Sequence, residues 1–108
     1  MSFRVELSLL ARRNLKEIAI WSTEHFSAQQ TMRLLDGFDR ALKTLESDPT
    51  RFAEAAETEW FSKALRELVF GVGRSRTHRL IFSVEGEVVR IHAIRHFAQD
   101  YLSPDDVS

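Results

Sequence analysis

The chain has no cysteine. That absence excludes disulfides, thiolate catalysis and cysteine-ligated zinc together, and a reducing cytoplasm suits such a protein. Long apolar runs are missing too. The stretch from Met1 to Glu17 is interrupted by charge too often for a signal peptide or a membrane span, so a cytosolic protein without membrane contact is expected. A strong excess of either charge is also absent, since the formal net charge is −1. A chain this close to neutral lacks the broad cationic pull behind non-specific nucleic-acid binding. No Gly-rich phosphate loop, carboxylate dyad, Ser/His/Asp constellation or zinc signature stands out, so neither a cofactor nor a metal is implied.

What is present suits one small α+β domain. With 108 residues, 44% hydrophobic and 29% charged, the chain can close a single core without staples. Residues 1–102 are read as the domain and 103–108 as a short tail in which Ser103-Pro104-Asp105-Asp106 has the character of a helix cap. Phe3–Leu7 alternates as a first strand, and Ser8 can cap a helix running to about His25. Ser27 then caps a second helix with a stripe at Met32, Leu35, Phe38, Leu42 and Leu45, ended by Asp48-Pro49. Gly37 inside it suggests close approach to the first helix. The acidic stretch from Thr50 to Lys63 reads as a loop with one helical turn. Three strands follow near Leu65–Phe70, Thr77–Val84 and Glu87–Arg95, the last two joined by a tight reversal at Glu85-Gly86. The order β-α-α-β-β-β predicts a helical hairpin packed on one face of a small, mainly antiparallel sheet.

Charge is uneven along this frame. Between Lys63 and Arg79 the cations Lys63, Arg66, Arg74, Arg76 and Arg79 face a single carboxylate, Glu67. Strict alternation puts Leu80, Phe82 and Val84 toward the helices and leaves Arg79, Ile81 and Ser83 on the other side. The same alternation in the last strand gathers Arg90, His92 and His96 near Arg79 on an exposed face. Arg66 and Arg79, set in apolar runs, look least like incidental surface charges. Guanidinium groups recognise phosphate or carboxylate bidentately, and histidine exchanges protons near neutral pH. If this is a nuclease, His96, Arg79, Arg66 and Arg95 are the candidate catalytic groups. His92 and His96, about 13 Å apart along a strand, cannot share a metal. Trp21, Phe26, Trp60 and Phe61 are candidate interface anchors.

These residues resemble a known pattern. Leu65-Arg66-Glu67-Leu68, then His78-Arg79-Leu80-Ile81-Phe82, then Ile94-Arg95-His96 with Ala98-Gln99-Asp100, are similar in order and spacing to the motifs of the RelE/ParE toxin superfamily. The front half agrees, with Ala11, Leu15, Ile18 and Trp21 on the first helix and Leu45 before Asp48-Pro49 closing the second. The resemblance implies the toxin of a type II toxin–antitoxin system, also described as a plasmid stabilisation protein, held in a hetero-oligomer by the C-terminal segment of a cognate antitoxin. It implies one of two targets. RelE-like members cut mRNA in the ribosome, whereas ParE-like members inhibit DNA gyrase and are not nucleases. Here the usual Tyr-Arg pair is His78-Arg79, and the only tyrosine is Tyr101 in the tail. With the near-neutral charge, that departure favours the ParE-like side: growth inhibition by binding gyrase rather than by catalysis. Arg66, Arg74, Arg76, Arg79, Trp21 and Trp60 are the expected target- or antitoxin-binding residues.

Overall fold

Local signals set the element boundaries. Ser8 ends strand β1 (Arg4–Leu7), and its Oγ accepts the Ala11 N–H at 3.0 Å to open helix α1 (Leu9–His25). Ser27 does the same for α2 (Ala28–Ser47) through the Gln30 N–H. Pro49 keeps Asp48 out of the helix, and a 3₁₀ turn starts there. The structure, a computed structural model, describes residues 2–99 and 101–107. The acidic stretch holds a second 3₁₀ turn, Ala56–Trp60, before strands β2 (Arg66–Phe70), β3 (His78–Glu85) and β4 (Val88–His96). A last short helix, α3 (Pro104–Val107), is capped by Asp106, whose Oδ2 accepts the Ser103 N–H at 2.8 Å. That bond holds the Asp106 carboxyl below its ordinary pKa.

The sheet order is β1-β4-β3-β2, with β1 parallel to β4 and an antiparallel meander for the rest. The expected helical hairpin on a mainly antiparallel sheet is therefore the observed architecture. The β3–β4 reversal sits one residue later than expected, at Gly86-Glu87, because Glu85 pairs with Val88 and Gly86 takes φ 65°. Beyond Leu7, α1 takes over the edge of β4 from β1. Ser8 Oγ donates to the His92 carbonyl at 2.9 Å, and Asn14 Oδ1 accepts the Ile94 N–H at 3.1 Å.

Three further expectations are corrected. The buried stripe of α2 is Thr31, Leu34, Phe38, Ala41 and Leu45, and Met32 is exposed. Alanine and threonine fit where helix meets sheet closely, and the larger side chains beside them overhang the contact. Gly37 approaches Gly71, not α1: a Cβ at 37 would lie 2.3 Å from the Gly71 carbonyl oxygen. Finally, β3 is buried on both sides. Leu80, Phe82, Val89, Ile91 and Ile94 pack under the helices, while Ile81 and Ala93 form a second cluster with Ala55, Leu65 and Leu102. The continuous run Leu80-Ile81-Phe82 is the signature of such a doubly covered strand.

Candidate functional site

A register fault in β4 decides which polar residues meet. Ile81 pairs with Ala93 and Phe82 with Ile91, so His92 is an extra residue, a β-bulge. Arg79, opposite Arg95, lies on the sheet face away from the helices, whereas His96, opposite His78, lies toward them. Arg66, opposite Phe82, is also on the helix side. Of the expected exposed gathering of Arg79, Arg90, His92 and His96, Arg90 stays on the Arg79 face opposite Ser83, His92 meets Ser83, and His96 is corrected to the helix side. Alternation read straight through the bulge assigns everything beyond it to the wrong face.

Arg79 is not an exposed cation. Its guanidinium donates to both carboxylate oxygens of Glu57, at 2.7 and 2.6 Å, with side-chain exposures of 8% and 0%. Glu57 also accepts the Leu102 N–H at 2.9 Å, and Glu67 approaches Arg79 Nε at 3.6 Å. Tyr101 lies over the guanidinium, 5.6 Å from ring centre, and against Trp60. Arg66 is half-buried and donates to the Phe52 carbonyl at 2.6 Å, fastening the stretch that contains Glu54. Arg74 and Arg76 stand exposed in the β2–β3 loop. Glu57 was missed in the sequence, although a signal existed. An arginine inside an apolar strand needs a carboxylate, and Glu54, Glu57 and Glu59 were the nearby supply.

The histidines have defined roles. The His96 ring meets that of His78 edge to face at 5.0 Å, and its Nδ1 accepts the Ala98 N–H at 2.9 Å. Neutral His96 therefore carries its proton on Nε2 and offers a donor there. His78 shares a hydrogen bond with Thr77 Oγ1, and burial, then proximity to His96, lowers its pKa to about 4. At the bulge, Ser83 Oγ donates to Glu85 and lies 2.8 Å from His92 Nε2. The hydroxyl proton is committed to Glu85, so His92 donates to serine rather than activating it. Burial, and secondarily Lys63, holds the His92 pKa low, while the Ser83 hydrogen bond lowers that of Glu85.

Two concavities flank the end of the sheet. On the helix side a groove of about 750 Å³ runs between α1, the start of α2 and the β2–β3 loop, with Ile18, Trp21, Phe26, Leu34 and Val72 on its walls and Arg33 on its rim. His78 and His96 border it as well. Trp21 stacks on His25 at 4.4 Å and meets Phe26 edge-on at 5.5 Å, yet both Trp21 and Phe26 stay exposed, at 49% and 66%. On the other side, Arg79, Arg95, Glu54, Glu67 and Tyr101 line a cavity of about 510 Å³ that His96 also borders. Trp60 is exposed on that side, and Phe61 packs against the second cluster. Among the described residues no group of three or more His, Asp or Glu could hold a metal, and no helix is long and apolar enough to cross a membrane.

Residues 5–101 match the family model of the ParE toxin of the type II toxin–antitoxin system, parDE. Among solved structures, the fold is similar to a chain of the chromosomal ParDE toxin–antitoxin system from P. aeruginosa, with TM-score 0.68 and 15% identity over 88% of this chain and 96% of that one. No curated protein matches the sequence.

Proposed function

The chain belongs to the ParE toxin family of type II toxin–antitoxin systems, and on that premise we propose that it arrests growth in the cytoplasm by binding DNA gyrase, with no catalytic step. The buried Arg79–Glu57 pair carries this reading. RNA cleavage through the 2′-hydroxyl needs cations free to meet the crowded phosphate and a base with an open lone pair. Arg79 spends its guanidinium on a carboxylate, and His96 spends Nδ1 on the Ala98 N–H. A binding surface needs neither group to be free.

Neutralisation by an antitoxin segment is assigned to the groove between the helices. Its walls carry Ile18, Trp21, Phe26, Leu34 and Val72 beside Glu17 and Arg33, and Trp21 and Phe26 stand ready as anchors. The adjoining β2–β3 loop adds Arg74 and Arg76, cationic without an ion-pair partner among the described residues. That chemistry fits an amphipathic acidic segment that folds as it binds.

Purified toxin mixed with gyrase and relaxed plasmid is expected to block supercoiling or to accumulate cleaved DNA. Normal supercoiling at large molar excess would overturn the gyrase reading. One observation favours a second reading, ribosome-dependent mRNA cleavage: His96, Arg79 and Arg95 border a common cavity. Codon-positioned transcript ends after induction, lost in His96→Ala, would replace the first reading with this one.

A further inference from the structure

The outer edge of β1 is open, and its charges are ordered. In the ladder with β4, the Arg4 N–H donates to the Glu87 carbonyl and the Ser8 N–H to the Ile91 carbonyl, both at 2.9 Å. Alternate residues bond in a parallel ladder, so Val5 and Leu7 turn their N–H and C=O groups outward. Among the described residues nothing meets these outward groups of Val5. At Phe3 the N–H is held by the Glu46 carbonyl, which marks where the open stretch starts. Two side chains flank Val5 on one sheet face, Arg4 and Glu6, which touch each other at 3.0 Å and expose 72% and 37% of their side chains, and Glu6 also takes Arg90 of β4 at 3.3 Å.

We propose that this edge pairs antiparallel with the same edge of a second copy, about a two-fold axis at Val5. Charge complementarity selects both occupant and register. Charged residues on an edge strand ordinarily discourage pairing. Here the signs alternate, and the two-fold operation sets Arg4 of each copy opposite Glu6 of the other. The neighbouring registers that keep outward groups facing one another are shifted by two residues, and they oppose Arg4 to Arg4 or Glu6 to Glu6. Of these registers, only the one centred on Val5 joins the open Val5 groups to each other and sets unlike charges opposite, while the Phe3 N–H stays with Glu46.

The same register sets Phe3 against Leu7 of the second copy. Leu9, one residue past the cap, adds apolar surface at the strand's end with 82% exposure. The sheet then runs continuously through both copies. The groove lies toward the opposite border, beside the β2–β3 loop, so both grooves stay open in the dimer. A four-residue strand buries little area, at the low end of specific interfaces, and association in roughly the tens of micromolar is expected.

Sedimentation equilibrium of the purified chain tests this. The apparent mass should rise from 12.5 kDa toward twice that value as concentration increases. Val5→Pro keeps the β4 ladder, because the N–H it removes points outward, and should abolish the rise. Arg4→Glu and Glu6→Arg should each remain single, yet associate when mixed, because the mixture alone restores opposite charges at both positions. The mixed pair should bind at least about tenfold more tightly than either variant binds itself, or about 1.4 kcal/mol. A wild-type chain that stays single into the high micromolar range overturns the dimer. So does Val5→Pro self-associating like wild type, or a mixture no tighter than its components. Should Val5→Pro fold poorly, the charge pair still decides, since Arg4 is solvent-exposed and Glu6→Arg gives up only a half-exposed pair with Arg90.

Discussion

On the helix side, the sheet meets α1 and α2 through Leu34, Phe38, Leu80, Phe82 and Ile91, all apolar and packed by shape. On the other side, a small cluster of Ile81, Ala93, Leu65 and Leu102 is joined to the Glu57–Arg79 ion pair, and Glu57 also holds the backbone at Leu102. The first face follows from periodicity and tolerates conservative change in volume. The second depends on a single carboxylate that organises three segments distant in sequence. Truncating Phe82 to alanine would cost the first face about 3–5 kcal/mol through lost burial and a cavity. A comparable loss on the second face needs no large apolar residue at all.

The sharpest way to break this contrast is Glu57→Ala. Arg79 would be left buried without its partner and the Leu102 N–H without an acceptor, at a cost of about 3–5 kcal/mol in urea unfolding. The double variant Glu57→Leu/Arg79→Met, apolar on both sides, should recover the part due to the unpaired arginine and leave the part due to the Leu102 N–H. A Glu57→Ala protein within about 1 kcal/mol of wild type would mean that the pair is solvated and the second face is loosely closed.

Acid probes the helix face instead, through His78. Its folded pKa, about 4, lies below the ordinary 6.5, so between those values the unfolded chain takes up a proton that the folded chain refuses. Stability is therefore full above pH 6.5 and is lost as pH falls toward 4, by about 3 kcal/mol from this residue. The depressed His92 adds loss in the same direction. His78→Phe, which keeps a ring beside Phe70, should flatten the dependence over this window. An unchanged slope would place the acid sensitivity elsewhere.

The smallest expected effect tests the fit of helix to sheet. Gly37→Ala puts a methyl group 2.3 Å from the Gly71 oxygen and should cost about 1–3 kcal/mol, against a gain in helix propensity of up to about 1. A neutral or stabilised protein would show that α2 can slide on the sheet.

Much of the fold was legible because its signals are local. Ser8 and Ser27 mark both helix starts, Pro49 marks the stop, and Gly86 marks the reversal. Alternation located each strand to within a residue. The site was less legible because its determinants are non-local. No spacing ties Glu57 to Arg79, 22 residues further on, and an acidic stretch in a loop reads as solvated surface until a buried arginine claims one of its members. Gly37 was recognised as a point of close approach, but its contact came from Gly71 across the domain. Trp21, Phe26 and Trp60, proposed as anchors, do remain exposed.

Strand alternation is a two-beat rhythm, and the extra residue at His92 shifts its phase. Anyone laying related chains beside this one must keep count across that point. A relative lacking the additional residue would show an inverted apolar pattern from position 93 onward while keeping the same fold. A histidine aligned with His96 by position alone, with no gap for the missing residue, would then point to the opposite side of its sheet, and a role transferred to it would be assigned to the wrong surface.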